Sequence, residues 1–138
     1  MTAYLLDTNI LSAIIRREAT AERRFRQAVD DDDVLLLSMV VFYEVKRGLL
    51  KRDAKKQMVT LENLTSQFAW CDAVLADWET AARMWAEREQ RGRPIADADV
   101  LIAAQAHRLK AVLVTDNEKD FDGLGVVIEN WRGNQIAR

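Results

Sequence analysis

Five short segments set the frame for what this chain can fold into. Ala3-Tyr4-Leu5-Leu6, Val34-Leu35-Leu36-Leu37, Ala111-Val112-Leu113-Val114 and Val126-Val127-Ile128 are uninterrupted apolar runs, and Cys71 to Leu75 offers a further short strand. The runs do not alternate apolar with polar, so they suit strands buried on both sides rather than a sheet with one wet face. Helical spacing fills the intervals. Thr8 is the expected cap of a helix through roughly Arg17, with Ile10, Leu11, Ile14 and Ile15 on one stripe. A second helix runs from Thr20 to about Val29, and Ser38 caps a third through about Leu50. Further helices are expected over residues 52–69, from Asp77 to Arg91, and from Asp97 to about Leu109. Strands alternating with helices predict an α/β fold: a parallel sheet of four to five strands with helices on both faces. With one proline, five glycines and no repeat or linker, residues 1–138 read as a single domain.

Several chemistries are excluded at once. One cysteine forbids an intramolecular disulfide, and a single cysteine with a single histidine makes a zinc site implausible. His107 occupies a polar helix position and reads as surface. No apolar run approaches the ~20 residues of a membrane span, and the N-terminal stretch lacks a signal-peptide pattern, so a cytoplasmic home without membrane contact is expected. Net charge is -2, which does not announce nucleic-acid binding. Basic residues do cluster at Arg16, Arg17, Arg23, Arg24 and Arg26, and again from Lys46 to Lys56. These clusters suit either phosphate contacts or solvated helix faces. Asp30 to Asp33 reads as an exposed turn.

Ligands of parallel sheets bind at the carboxyl ends of strands, and here those ends carry acids and amides. Asp7 closes the first run. Glu44 shares a helix face with Val41, Val45 and Gly48, while Lys46 and Arg47 point elsewhere. A carboxylate on an apolar stripe is costly unless paired or metal-bound. In PIADADVLIAA, residues 94–104, Asp97 is placed as the N-cap and Asp99 in the first turn. Residues two apart are turned about 200° from each other on a helix. Asp99 therefore faces Ile102 and Ala103, and Asp97 does not. After the run Ala111–Val114, Thr115, Asp116, Asn117 and Asp120 offer oxygens, with Asp120 read as a solvated loop residue. Converging carboxylates repel and need a cation. Hard oxygen donors select Mg²⁺ or Mn²⁺, which serve phosphate chemistry.

Taken together, these stretches resemble the PIN-domain ribonucleases, in particular the VapC-type toxins of toxin–antitoxin pairs. Tyr4-Leu5-Leu6-Asp7-Thr8-Asn9-Ile10-Leu11 is similar to the family's opening motif, and Tyr43-Glu44-Val45-Lys46-Arg47-Gly48-Leu49 to its second. Gly92-Arg93-Pro94-Ile95 with Asp99 and Ile102-Ala103-Ala104 resembles the third. Val114-Thr115-Asp116-Asn117, Phe121, Gly123-Leu124 and Trp131 resemble the closing segment. The resemblance implies a PIN-like domain in which Asp7, Glu44 and Asp99 are the metal-binding, catalytic acids of an endoribonuclease. It makes Asn9, Asp97, Thr115, Asp116 and Asn117 supporting residues, and leaves open whether Asp116 or Asn117 completes the site. It further implies an RNA substrate, with transfer RNA the plausible class, a cognate antitoxin, a homodimer, and operator DNA reached only through the antitoxin.

Two other readings stand beside it. A catalytically silent module of the same fold would bind a protein or RNA partner through its surface, with Trp78 and Trp85 as a docking face; the same pair suits core or dimer contacts. A receiver-type phosphate domain needs an acidic pair after the first strand, where this chain has Thr8-Asn9.

Overall fold

The computed structural model describes residues 1–132. The elements run β1 (Ala3–Leu6), α1 (Thr8–Ile15), α2 (Ala19–Asp30), β2 (Val34–Ser38), α3 (Met39–Lys51) and α4 (Lys55–Leu64). They continue as β3 (Ala69–Cys71), α5 (Leu75–Gln90), α6 (Asp97–Leu109), β4 (Val112–Val114) and β5 (Ile128–Glu129), with 3-10 turns at Thr65–Gln67 and Glu118–Phe121. All strands pair in parallel, in the order β3-β2-β1-β4-β5. Leu5, Leu6, Leu37 and Leu113 are wholly shielded, as strands covered on both faces require.

From β1 the chain steps through β2 to β3, then returns through α5 and α6 to β4 on the far side of β1. Right-handed crossovers then put α1 to α4 on one face and α5 with α6 on the other. The direction of travel reverses at β1, so a crevice opens between the carboxyl ends of β1 and β4. The register brings Leu6 beside Val114, and the Asp7 N–H donates to the Val114 carbonyl at 2.9 Å. Asp7 and Thr115 therefore emerge together at that crevice.

The α/β expectation holds, and several element ends move for local reasons. Asp7, not Thr8, caps α1: its Oδ1 accepts the Ile10 N–H at 2.9 Å. Ser38 caps α3 as expected, accepting the Val40 N–H at 3.2 Å. The helix expected over 52–69 is shorter, because Asp53 at φ +52 breaks the chain between α3 and α4. The strand expected at Cys71–Leu75 lies earlier, at Ala69–Cys71. Asp77 accepts the Val74 N–H at 3.0 Å, which starts α5 at Leu75 rather than at Asp77. The last strand lies at Ile128–Glu129 instead of 126–128. Val74 and Leu75, apolar enough to suggest strand, are 45% and 73% exposed.

Asp97 also requires correction. The N-cap of α6 is Ala96, in extended conformation, with no side-chain cap bond; Asp97 is the first helical residue and is exposed. Its carboxylate can favour the helix N-terminus only through the dipole. Asp97→Asn is thus expected to cost roughly 0.5 kcal/mol in urea denaturation. A loss above about 2 kcal/mol would instead reveal a capping bond.

Candidate active site

Asp7 projects from the end of β1 and is 5% exposed. Burial pushes its carboxyl up to about 6, against hydrogen bonds from Thr115 and Ile10, and the charges of Asp116 and Asp99 push the same way. Thr115 is fully buried. Its hydroxyl donates to Asp7 and accepts the Asn117 N–H at 2.9 Å. Asp99, half-buried in the first turn of α6, is also raised to about 6, by burial and then by the charges of Glu44 and Asp120. Glu44 stands at the margin of the α3 stripe, where Val41, Val45 and Leu49 are buried. Its Oε1 accepts the Thr8 hydroxyl at 2.6 Å. Arg47, expected to point away, brings Nη2 within 3.6 Å of Oε2.

The three acids named from sequence thus share one electrostatic field: Asp7 feels Asp99, and Asp99 feels Glu44. Asp116 stands at the Asp7 end, and Asn117 is exposed. Asp116 is already engaged. Asn9 donates to its Oδ1 at 3.3 Å, and Arg132 to its Oδ2 at 2.7 Å. Arg132 also holds Glu18 through two bonds of 2.8 and 3.0 Å.

Among the described residues, no three Asp, Glu, His or Cys side chains already converge as a closed cation cage. Mutual repulsion accounts for that spacing in free carboxylates. The donor set nonetheless fits a hard divalent ion. It is all oxygen, and the buried Asp7 and Asp99 make no ion pair with Lys or Arg among the described residues.

Sequence reasoning missed the roles of Thr8 and Arg132, and read Asp120 as a solvated loop residue without its reach to Asp99. Asp120 is exposed, yet its charge reaches Asp99. Thr8 serves Glu44 rather than capping its helix, and Arg132 secures Asp116 from far along the chain. Asp120 sits in the 3-10 turn that follows β4, where its sequence context is that of any polar turn. Within the first basic cluster Arg26 pairs with Glu22 and Arg24 with Glu129, whereas Arg16 stands 3.7 Å from Glu18. His107 is exposed, as read. Trp78 and Trp85 are not core residues, being 55% and 44% exposed, whereas Met84 between them is buried.

Fold and site together define a class: a parallel α/β domain with an acid-lined crevice at its topological switch point. The chain belongs to the PIN domain family, whose model matches residues 4–126. It is 28% identical over 130 residues to ribonuclease VapC2 of Rickettsia felis, covering 93% of this chain and 97% of that protein. It is 26% identical over 134 residues to the tRNA(fMet)-specific endonuclease VapC of Shigella flexneri, covering 95% and 99%. Among solved structures it resembles VapBC2 from Rickettsia felis bound to a DNA fragment from their promoter, with a TM-score of 0.85, 25% identity, and 95% and 100% of the two chains covered. No helix among the described residues is long and apolar enough to cross a membrane.

Proposed function

We propose that this chain is an endoribonuclease that hydrolyses RNA phosphodiester bonds with a Mg²⁺ or Mn²⁺ ion, and that it acts as the toxin of a toxin–antitoxin pair. One observation carries the site: Asp7 and Asp99 are withdrawn from water within reach of each other's and other acids' charge, and neither makes an ion pair with Lys or Arg among the described residues. Relatives named as VapC ribonucleases and a neighbour solved as a VapBC assembly support RNA as substrate and a cognate antitoxin as partner. The name of the Shigella flexneri protein makes transfer RNA the first substrate to try.

Asp7, Asp99 and Glu44 would hold the ion. When bound, it supplies a nucleophilic water at neutral pH and offsets charge on the phosphate. The protein's own work is positioning. The Ile10 N–H and the Thr115 hydroxyl fix Asp7, and the Thr8 hydroxyl fixes Glu44. The buried Ile102, Ala103 and Ala104 seat the helix that carries Asp99. Asp116 is committed to Asn9 and Arg132, so it supports the site from outside that set.

Cleavage of total RNA, with end mapping, tests the reading. EDTA is expected to abolish it. Asp99→Asn is expected to lower the rate by more than the roughly 10–100-fold usual for loss of an outer partner, and to weaken Mn²⁺ binding in calorimetry. Full cleavage by this variant would overturn the assignment.

A further inference from the structure

Beside Glu44 lies a small cavity between α1, α3 and the start of α4, with a volume of about 160 Å³. Thr8, Ser12 and Arg16 line one wall, Glu44, Gly48 and Arg52 another, and Gln57 closes it. The volume falls well below the ~300 Å³ at which pockets for organic ligands begin, yet it has room for roughly five waters. A small polar group fits, and a nucleobase with its sugar does not.

The two ends of the cavity differ in charge. Glu44 stands at one end, already bound by Thr8. Gly48 and Arg52 follow it at successive turns of the same helix face. Gly48 has no side chain, and a Cβ placed there would lie 3.5 Å from Arg52 Nη1, so the guanidinium lies along the helix surface over this glycine. Arg52 makes no ion pair among the described residues. Arg16 is only loosely held, 3.7 Å from Glu18, and Glu18 gives its two short bonds to Arg132. Two guanidiniums with spare donors therefore line a cavity that also offers the Ser12 hydroxyl and the Gln57 amide, the Thr8 hydroxyl being committed to Glu44.

We infer that this cavity is a phosphate subsite: Arg16 and Arg52 bind a backbone phosphate of the RNA next to the phosphodiester being cut. The inference rests on the ribonuclease reading above and extends it to how substrate is held. A phosphodiester at the acids would be oriented by the cation that Asp7, Glu44 and Asp99 would hold. The neighbouring phosphate meets no such cation, and the guanidiniums supply the charge there, with the fork geometry that phosphate oxygens match. Gly48 keeps the space open. The substrate would thus be fixed by its backbone at two points, a contact that positions RNA without reading sequence.

The test is anisotropy of a fluorescein-labelled, mixed-sequence single-stranded RNA 12-mer with Mg²⁺, across a KCl series, in an Asp99→Asn background. Arg52→Ala is expected to weaken binding about tenfold. It is also expected to reduce the slope of log affinity against log salt by about 0.7, and Arg16→Ala with Arg52→Ala by about twice that. Gly48→Leu fills the cavity while improving helix propensity, so RNA affinity should fall with no loss of thermal stability. Lys55→Ala, exposed on α4 and outside the cavity, should leave affinity near that of the background. An unchanged slope in the double variant, or an equal effect from Lys55→Ala, overturns the subsite. The same holds if the arginine variants bind RNA normally but lose only the antitoxin. Cleavage of the 12-mer by the Asp99→Asn background is a different failure, that of the catalytic assignment itself.

Discussion

Asp7→Asn is expected to remove RNA cleavage and, without divalent ions, to stabilise the fold. The native carboxyl has its pKa raised from 3.8 to about 6 by burial and by its acidic neighbours. Below about pH 4 it is protonated in folded and unfolded chains alike, and contributes no difference. Between about pH 4 and 6 the unfolded chain releases the proton that the folded chain retains, so stability falls as pH rises. Above pH 6 the loss is complete, at most roughly 3 kcal/mol for this group. Asparagine is neutral throughout, and its side-chain oxygen can still accept the Ile10 N–H. In urea denaturation with EDTA, the variant's advantage should be near zero at pH 4 and grow to about 2 kcal/mol by pH 7. Mn²⁺ should reverse the ranking, because an ion that binds only the native fold adds about 2.7 kcal/mol at a hundredfold excess over its Kd. An advantage independent of pH would mean that burial of this charge is not the cause. A wild type indifferent to Mn²⁺ would remove the ion from the site.

The placement of charge made Asp7, Glu44 and Asp99 legible in the sequence. Glu44 is a charge on an apolar stripe, and Asp7 and Asp99 become notable only with it, as acids from separate elements at the end of a sheet where ligands bind. The doubly buried strands were legible for a related reason: β1, β2 and β4 admit almost nothing polar. A cap was legible where the capping residue's other contacts did not compete with it. Ser38 caps α3 with its hydroxyl oxygen while the hydroxyl proton goes to Gln105 at 2.7 Å, two compatible roles, whereas Asp7 both caps α1 and faces the crevice, and Thr8 turns to Glu44 instead. β3 was misplaced because a three-residue edge strand with Ala69 and Trp70 exposed has no pattern to detect. Asp120 lies in a polar turn, and nothing local distinguishes it from a solvated acid. Arg132 reaches Glu18 across a sequence separation of 114 residues, and only the tertiary fold could bring that pair to Asp116. Local rules named the acids, and long-range contacts decided which of them were already engaged.

Trp131→Ala is expected to be the most damaging substitution outside the acids. Trp131 is fully buried, and its ring meets Tyr4 edge-on at 5.2 Å. The Arg24 guanidinium lies 5.5 Å from the ring centroid, and the indole N–H donates to Glu129 at 2.8 Å. Glu129 also receives Arg24. Truncation opens a cavity beside Tyr4 and removes one of the two donors to Glu129, a loss of about 3–5 kcal/mol. That is a large share of the stability of a domain this size. The damage should reach the site, because Tyr4 lies on the strand that ends at Asp7, and the next residue, Arg132, carries Asp116. Trp78 and Trp85 provide the contrast. They are about half exposed on α5, so the same truncation should cost under about 1 kcal/mol in a monomer. Urea denaturation of the three variants at one protein concentration ranks them. If Trp78→Ala or Trp85→Ala costs as much as Trp131→Ala, those rings are buried in an assembly. The loss should then depend on protein concentration, as monomer stability does not.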